Sequence, residues 1–447
     1  MRHLLTLSIA TLSSVLFLGC GSDSNPASID AGAGIDATVI VDASLPPDAA
    51  PDASICMGDN DCETGRCQSD GSCSCPMTAD IPPVFPWQRQ VGAPLLVPGQ
   101  VHGDGTNFLI ADPSALYNEA EGKWQVWYAA SRGECFTCEN SAVIELAESS
   151  DGIAWTVAED VALNLSGTGW DAIRSETPDV IVDPNAIPSR RYAMAYSGAD
   201  VMLPLGFPNY NIGIAFSPDG KNFTRVSAAE SGQAEDGLVL TELVAFPNNM
   251  QVNGGVVADP TLALIDGTYH MWFSSFGCAD GDTCANILEF GISHATSIDA
   301  VHWIPDTANP VIVGGEQPSA IWNPNDCRFE MWMTRKAQGD DDGIPATFNP
   351  TLGSFRAVSE DGSSWTVESQ RDFTWDNQAG GEQLGLLTGV DVALRGLERV
   401  LFYVGMGTDS VPPGFFIPVQ QSFDKAGFVP GTFGLGMARQ AVSSSSE

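Results

Sequence analysis

The sequence predicts an all-β chain, a five-bladed β-propeller preceded by a disordered linker and a small cysteine-rich module, and three observations lead there. From about residue 83 onward the same strand-like elements recur five times in a fixed order. Four of the five repeats carry an Asp followed at constant spacing by an aromatic residue. Ahead of the repeats the composition changes twice, from an apolar leader to a polar tether and then to a dense run of cysteines.

The leader comes first. Arg2 and His3 precede an apolar run from Leu4 to Leu18, and Gly19 and Cys20 follow. A short basic start and an apolar stretch of this length form an export signal, too short for a membrane span. The ending Leu16-Phe17-Leu18-Gly19-Cys20 resembles the lipobox of bacterial lipoproteins, with Phe17 and Leu18 departing from the usual residues. The resemblance implies cleavage after residue 19 and a lipidated Cys20. The expected location is the bacterial cell envelope, lipid-anchored or secreted, with membrane contact only through Cys20.

Residues 20–54 are rich in Asp, Ala, Pro, Ser and Gly and cannot bury a core, so a flexible tether is predicted. Residues 55–78 hold Cys56, Cys62, Cys67, Cys73 and Cys75. A segment this small needs crosslinks in place of a core. A zinc site is the sharper alternative, but His is absent there and an exported chain meets an oxidising compartment. The propeller is assigned to residues 83–440 and a disordered tail to 441–447.

Eleven cysteines occur in all. Cys135 and Cys138 lie close together, as do Cys278 and Cys284, and each pair is expected to staple a long hairpin loop. The five-member cluster then needs an outside partner, for which Cys327 is left; connectivity itself is not legible in the sequence. The formal charge is −37, from 19 Lys and Arg against 56 Asp and Glu. That balance excludes nucleic acid as a partner, because phosphate binding needs clustered cations. A monomer is expected. No cofactor or metal is expected; the acidic run 339–343 leaves calcium as the alternative to a plain exposed loop.

Within each repeat the first element opens on a residue before Pro: Asp112-Pro113, Thr177-Pro178, Asp259-Pro260 and Gln317-Pro318, with Gly389-Val390 in the fifth. Pro is expected at the start of a strand, where its missing N–H does no harm. The second element is aromatic-rich, as in Lys123-Trp124-Gln125-Val126-Trp127-Tyr128 and Thr268-Tyr269-His270-Met271-Trp272-Phe273. Its alternation is that of a strand, and Trp124, Trp127, Trp272 and Trp332 are read as blade packing. The third ends in a turn at Asp151, Asp219, Asp299 or Asp361, with Trp155, Phe223, Trp303 or Trp365 four residues on. The fifth repeat lacks this turn, so residues 86–91 or 428–437 are expected to close the ring. Sheets of this kind bury both faces by stacking around an axis.

In a propeller the inner strand of each blade lines the central channel. Asp112, Glu176 beside Thr177, Asp259, Glu316 beside Gln317, and Asp391 are therefore expected to converge there. Crowded carboxylates suit glycosidic cleavage, which needs one protonated acid and one ionised partner, and mutual repulsion drives their pKa values apart. Each of these residues has a plainer use as a turn or capping group. Trp170, in a glycine-bearing loop before Glu176, is the candidate sugar platform, and Arg174 a candidate to hold a carboxylate or a sugar hydroxyl.

The combination of Asp-Pro strand, aromatic strand and Ser-x-Asp-Gly-x-x-Trp turn resembles the five-bladed glycoside hydrolase superfamily, families 43, 32, 68 and 130, over about residues 85–440. The resemblance implies that Asp112 is base or nucleophile, that Glu176 is the acid, and that Asp259 tunes it. Trp170, Arg174, Asp179, Glu316, Gln317 and Asp391 are the expected substrate contacts. The order of acids along the chain departs from family 43, and the Asn-Asp-Pro-Asn motif of invertases is absent. The function expected is a cell-surface glycosidase that cleaves or binds poly- or oligosaccharide at the channel mouth. The alternative is a non-catalytic carbohydrate- or protein-binding propeller lipoprotein.

Overall fold

Five blades of four antiparallel strands account for almost all of the chain that the computed structural model describes, with single parallel bridges joining the first blade to the second and to the fifth. The described residues are 107–132, 141–201, 208–241, 254–279, 287–324, 326–335, 353–374, 387–396, 398–406 and 433–440, with short strands at 66–67, 73–74 and 87–89 and a bridge at Leu96. The leader, Cys20, the tether, most of the cysteine-rich module, Cys135, Cys138, Cys284, the acidic run 339–343 and the tail lie outside them. Cys278 and Cys327 are each disulfide-bonded.

Blade 1 consists of Asn107–Asn118, Lys123–Arg132, Ser141–Ser149 and Thr156–Val157. Blade 2 consists of Arg174–Val182, Tyr192–Ala199, Asn211–Ser217 and Thr224–Arg225, and blade 3 of Gly255–Ile265, Thr268–Cys278, Ile287–Ser297 and Ile304–Pro305. Blade 4 consists of Gly315–Asn323, Arg328–Arg335, Gly353–Ser359 and Thr366–Thr374. The fifth draws on both ends of the propeller. Leu387–Arg395 and Glu398–Met406 are followed by Phe433–Gln440, and Trp87–Arg89 pairs with this last strand as the outermost member. Both segments suspected of closing the ring thus take part.

Blade-to-blade packing is apolar, and the aromatic after each turn supplies much of it. Trp155 meets Phe402 edge-on at 6.0 Å, Phe223 meets Trp127 at 6.3 Å, and Trp365 meets Trp272 at 5.7 Å. In each case the aromatic directly before the outer strand contacts the second strand of the preceding blade. Trp127 and Trp272 also donate their ring N–H to the turn carbonyls of Gly220 and Gly362, at 2.8 and 2.7 Å. Their burial matches the packing role expected for them. The turn itself is a hydroxyl–carboxylate device: Ser149 Oγ donates to Asp151 Oδ1 and accepts the N–H of Gly152, while Asp151 Oδ1 accepts the N–H groups of Ile153 and Ala154. Ser217/Asp219, Ser297/Asp299 and Ser359/Asp361 repeat it.

The X-Pro pairs do not open the inner strands. They lie inside them, at a β-bulge found in all five: pairing shifts between Ala111 and Ser114, Glu176 and Asp179, Ala258 and Thr261, Glu316 and Ser319, and Thr388 and Asp391. A bulge leaves a residue unpaired, so a strand tolerates Pro there. The residue before Pro is left-handed at each bulge, with φ of 50° at Asp112, 48° at Thr177, 52° at Asp259 and 50° at Gln317. The fifth blade has Gly389, φ 53°, and a Cβ there would stand 3.0 Å from Asp112 Oδ1. Glycine thus leaves room for the carboxyl of Asp112. For the others a left-handed backbone costs roughly 1–2 kcal/mol each, more for β-branched Thr177.

Two residues past each left-handed residue, a polar side chain crosses to the next blade. Val180 N–H donates to Ser114 Oγ, Leu262 N–H to Asp179 Oδ2, Ala320 N–H to Thr261 Oγ1, Val392 N–H to Ser319 Oγ, and Ala115 N–H to Asp391 Oδ2. These five bonds run once around the ring and return to their origin. Asp391→Ala would leave buried Ser319 Oγ and the Ala115 N–H short of a partner, and about 1–3 kcal/mol of stability is expected to be lost for each unsatisfied group. Urea unfolding measures it.

Candidate functional site

The site grows out of the five bulges. A left-handed residue swings its side chain away from the pleat, and the residue before it ends the regular pairing. On the inner strands these two positions hold Ala111-Asp112, Glu176-Thr177, Ala258-Asp259, Glu316-Gln317 and Thr388-Gly389. Four carboxyls from four blades thus enter one environment: Asp112, Glu176, Asp259 and Glu316. Each is coupled electrostatically to at least one other.

Burial and neighbours set their protonation. The carboxyl of Asp112 is pushed well above the usual range, first by desolvation, then by the charges of Glu176 and Asp259, with Arg174 opposing. Desolvation raises Glu176 too, against the charge and hydrogen bonds of Arg174, whose Nη1 lies 3.0 Å from Oε2 and 3.3 Å from Oε1. Residues two apart on a strand share a face, so Arg174 and Glu176 meet on one strand. Asp259 is pushed up to about 6 by burial, with a hydrogen bond from Ser274 pulling down and the charge of Glu176 pushing up. Glu316 is pushed up to about 8 by burial and then by the charge of Asp259, with a bond from Thr334 opposing.

Asp112, Glu176, Asp259 and Glu316, the acids expected at the channel, are therefore together. Gln317 joins them, its Oε1 3.5 Å from the N–H of Gly389. Arg174 is engaged by Glu176. Three expectations are corrected by the structure. Trp170 is buried in the core of blade 2, its ring 5.5 Å from Tyr196 and its Nε1 donating to the Asp236 carbonyl at 3.0 Å, so it offers no open face to a sugar. Asp179 and Asp391 belong to the interblade ring: Ser114 Oγ donates to Asp179 Oδ1 at 3.0 Å and Ser319 Oγ to Asp391 Oδ1 at 2.8 Å, besides the backbone bonds above. Their oxygens hold blades together.

Those two carboxyls still shape the response to pH. Burial and then the charge of Asp391 push Asp179 up to about 7, while burial pushes Asp391 up to about 6 against bonds from Ala115, Ser319 and Val392. An unfolded Asp titrates near about 3.9, so between that value and the folded ones the native state keeps protons that the unfolded chain has released; stability falls as pH rises across that span and levels off above it. His270, pushed down to about 4 by burial and then by His294, gives the opposite slope, which ends near the unfolded histidine value of about 6.5. From about pH 6.5 to about 7 the slope from Asp179 stands unopposed by histidine. The urea midpoint is expected to fall across that window, and Asp179→Asn to flatten the fall.

The sequence reading missed the hydroxyls behind the acids. Ser197, Ser274 and Thr334 pair in register with Glu176, Ala258 and Glu316 on the second strands of blades 2, 3 and 4. Ser197 Oγ accepts the N–H of Asp259 at 2.9 Å and contacts Thr177 Oγ1; Ser274 Oγ accepts the N–H of Gln317 at 2.8 Å; Thr334 Oγ1 donates to the Glu316 carbonyl at 3.1 Å. The signal was present, since each directly follows the aromatic-rich element in Tyr196-Ser197, Phe273-Ser274 and Met333-Thr334.

No sequence-family profile matches the chain, and no curated protein matches it by sequence. Solved structures do resemble it. A structure described as a complex of BT0996 and RGII is 13% identical with a TM-score of 0.53, covering 83% of this chain and 95% of the other. A family 117 glycoside hydrolase, Zg3597 of the marine bacterium Zobellia galactanivorans, is 12% identical with a TM-score of 0.49, covering 79% of this chain and 90% of the other. A glycosyl hydrolase from Bacteroides ovatus is 14% identical with a TM-score of 0.47, over 79% and 94% of the two chains. The likeness to the first of these, at 13% identity, shows a shared fold alone.

Proposed function

We propose that the protein is an exported glycoside hydrolase, anchored to the cell envelope through lipidated Cys20, that cleaves poly- or oligosaccharide at the channel mouth. One observation carries the reading: four carboxyls from four blades converge on left-handed bulges, and burial and mutual charge drive their pKa values apart. Glycosidic cleavage needs a carboxyl that still holds its proton for the leaving oxygen and a carboxylate that activates water or attacks carbon. Glu316, near 8, and Asp259, near 6, bracket neutrality in that order. Glu316 is thus assigned as the acid and Asp259 as the base or nucleophile. Asp112, its carboxyl pushed well above the usual range by burial and by the charges of Glu176 and Asp259, and the Arg174–Glu176 pair are assigned to the sugar hydroxyls. This exchanges the roles the family resemblance implied for Asp112, Glu176 and Asp259.

Strained backbone clusters at functional sites, and here Asp112 and Asp259 are themselves left-handed while Glu176 and Glu316 directly precede the left-handed Thr177 and Gln317. Among the described residues Arg174 is the cation whose charge reaches these carboxyls, and Glu176 already engages it. That favours water over a phosphate dianion as the acceptor.

The test is hydrolysis of aryl-glycosides, arabinan, fructan and a wider glycan panel by the purified protein. On a substrate that turns over, kcat is expected to rise with pH through about 6, as Asp259 ionises, and to fall through about 8, as Glu316 loses its proton. Glycan binding without turnover would replace the hydrolase with a carbohydrate-binding propeller.

A further inference from the structure

Two left-handed residues on neighbouring blades share one hydroxyl. Ser197 is wholly buried on the second strand of blade 2, in register with Glu176. Its Oγ accepts the N–H of Asp259, the left-handed residue of blade 3, at 2.9 Å. The same oxygen is hydrogen-bonded to Thr177 Oγ1, on the left-handed residue of blade 2. A hydroxyl has one proton and two lone pairs, enough for both contacts at once. A left-handed backbone is costly for any residue with a side chain and persists where the surroundings over-determine it. Here one oxygen holds the main chain of Asp259 and, across the blade boundary, the side chain of Thr177 beside Glu176. The other blades differ at the matching place, which is Ala129 in blade 1, Ser274 in blade 3, Thr334 in blade 4 and Val404 in blade 5. Ser274 Oγ accepts the N–H of Gln317, whereas Thr334 turns to the carbonyl of Glu316. Val404, which precedes Asp112 around the ring, has no hydroxyl. Of the two acids that are themselves left-handed, Asp259 is therefore the one whose N–H is held by a hydroxyl of the preceding blade, among the described residues.

We propose that Ser197 is a positioning residue for Asp259: it locks the left-handed main chain that bears this carboxyl and registers it against Thr177 and Glu176 of the neighbouring blade. The kinetic consequence rests on the hydrolase reading, and the backbone contact does not. Ser197 acts through geometry, since its oxygen is bonded to the main chain of Asp259 and not to the carboxyl. Its loss therefore displaces the carboxyl while leaving in place the groups that set its titration.

The test compares full-length wild type with Ser197→Ala, Ser197→Cys and Ser197→Thr. The readout independent of activity is hydrogen–deuterium exchange of the Asp259 amide, followed at residue resolution by mass spectrometry. The Gln317 amide is the internal control, because Ser274 and not Ser197 accepts it. Loss of one neutral hydrogen bond is expected to speed exchange at Asp259 about tenfold in Ser197→Ala and to leave Gln317 unchanged. The threonine variant, which keeps the hydroxyl, is expected to restore slow exchange, and the cysteine variant, a weaker acceptor, to lie between. On a glycan that turns over, Ser197→Ala is expected to lower kcat about 10- to 100-fold with KM within about twofold. Both limbs of the pH profile are expected to stay in place, unlike in Asp259→Asn. Exchange at Asp259 unmoved in both Ser197→Ala and Ser197→Cys, or moved together with Gln317, overturns the proposal, as does a selective change in exchange with kcat unaltered. Absence of turnover in wild type alongside selective exchange at Asp259 overturns the hydrolase reading and leaves the hold of Ser197 on Asp259 standing.

Discussion

Glu316→Gln and Asp259→Asn are each expected to lower kcat by a factor of about 10² to 10⁴ with little change in fold, the range typical of a positioned acid or base. Both substitutions keep shape and remove the titrating proton. The discriminating measurement is the surviving pH dependence. Glu316→Gln should lose the basic limb near 8 and retain the acid limb near 6, and Asp259→Asn the reverse. The two are coupled, since the charge of Asp259 helps raise Glu316, so the limb that remains in Asp259→Asn should also move to lower pH. A larger loss for Glu176→Gln or Asp112→Asn than for either of these would return the chemistry to the first two blades.

Trp87→Ala is expected to cost about 3–5 kcal/mol, the usual range for truncating a buried tryptophan, and to lower the urea midpoint accordingly. Trp87 belongs to the strand that completes the fifth blade from the N-terminal side, paired from Gln440 to Ala438. It is 2% exposed and sits edge-on to Trp332 and Phe373 at 6.0 and 6.3 Å. Its ring N–H and that of Trp332 both donate to Asp372 Oδ2, at 2.7 and 2.6 Å. Trp87→Phe keeps most of the packing and loses one charge-assisted hydrogen bond, so about 1.5–3 kcal/mol is expected. Equal midpoints for wild type and Trp87→Ala would mean that this strand does not hold the ring shut.

A second clasp joins the fourth and fifth blades. Buried Glu330 receives Arg399 Nε at 2.7 Å and Nη2 at 2.9 Å, with Arg356 alongside. Burial alone would raise this carboxyl, yet the bonds from Arg399 and the charges of Arg356 and Arg399 hold it down to about 2. Neither arginine was singled out in the sequence, because a cation on a strand says nothing of its partner 26 or 69 residues away.

The regular part of the molecule was legible because it repeats. Alternation, the Asp-x-x-x-aromatic turn and the X-Pro pairs are short-range patterns, and five copies reinforce one another. Even the interblade ring left a trace, since each bulge is followed by Ser114, Asp179, Thr261, Ser319 or Asp391, all hydrogen-bonding residues. What that trace could not say is that Asp179 and Asp391 serve the ring while Asp112 and Asp259 are coupled to Glu176. The choice turns on a left-handed φ, and Pro was read as a strand start when it marks a bulge inside the strand.

The sequence by itself thus determined the blade number, the strand order and the turns. The tertiary structure alone decided which acids meet, which keep their protons, and which strand shuts the ring. The physical reason is common to all three. Desolvation, Coulomb coupling and ring closure depend on through-space distance between residues far apart in the chain, whereas the repeats are written in neighbours.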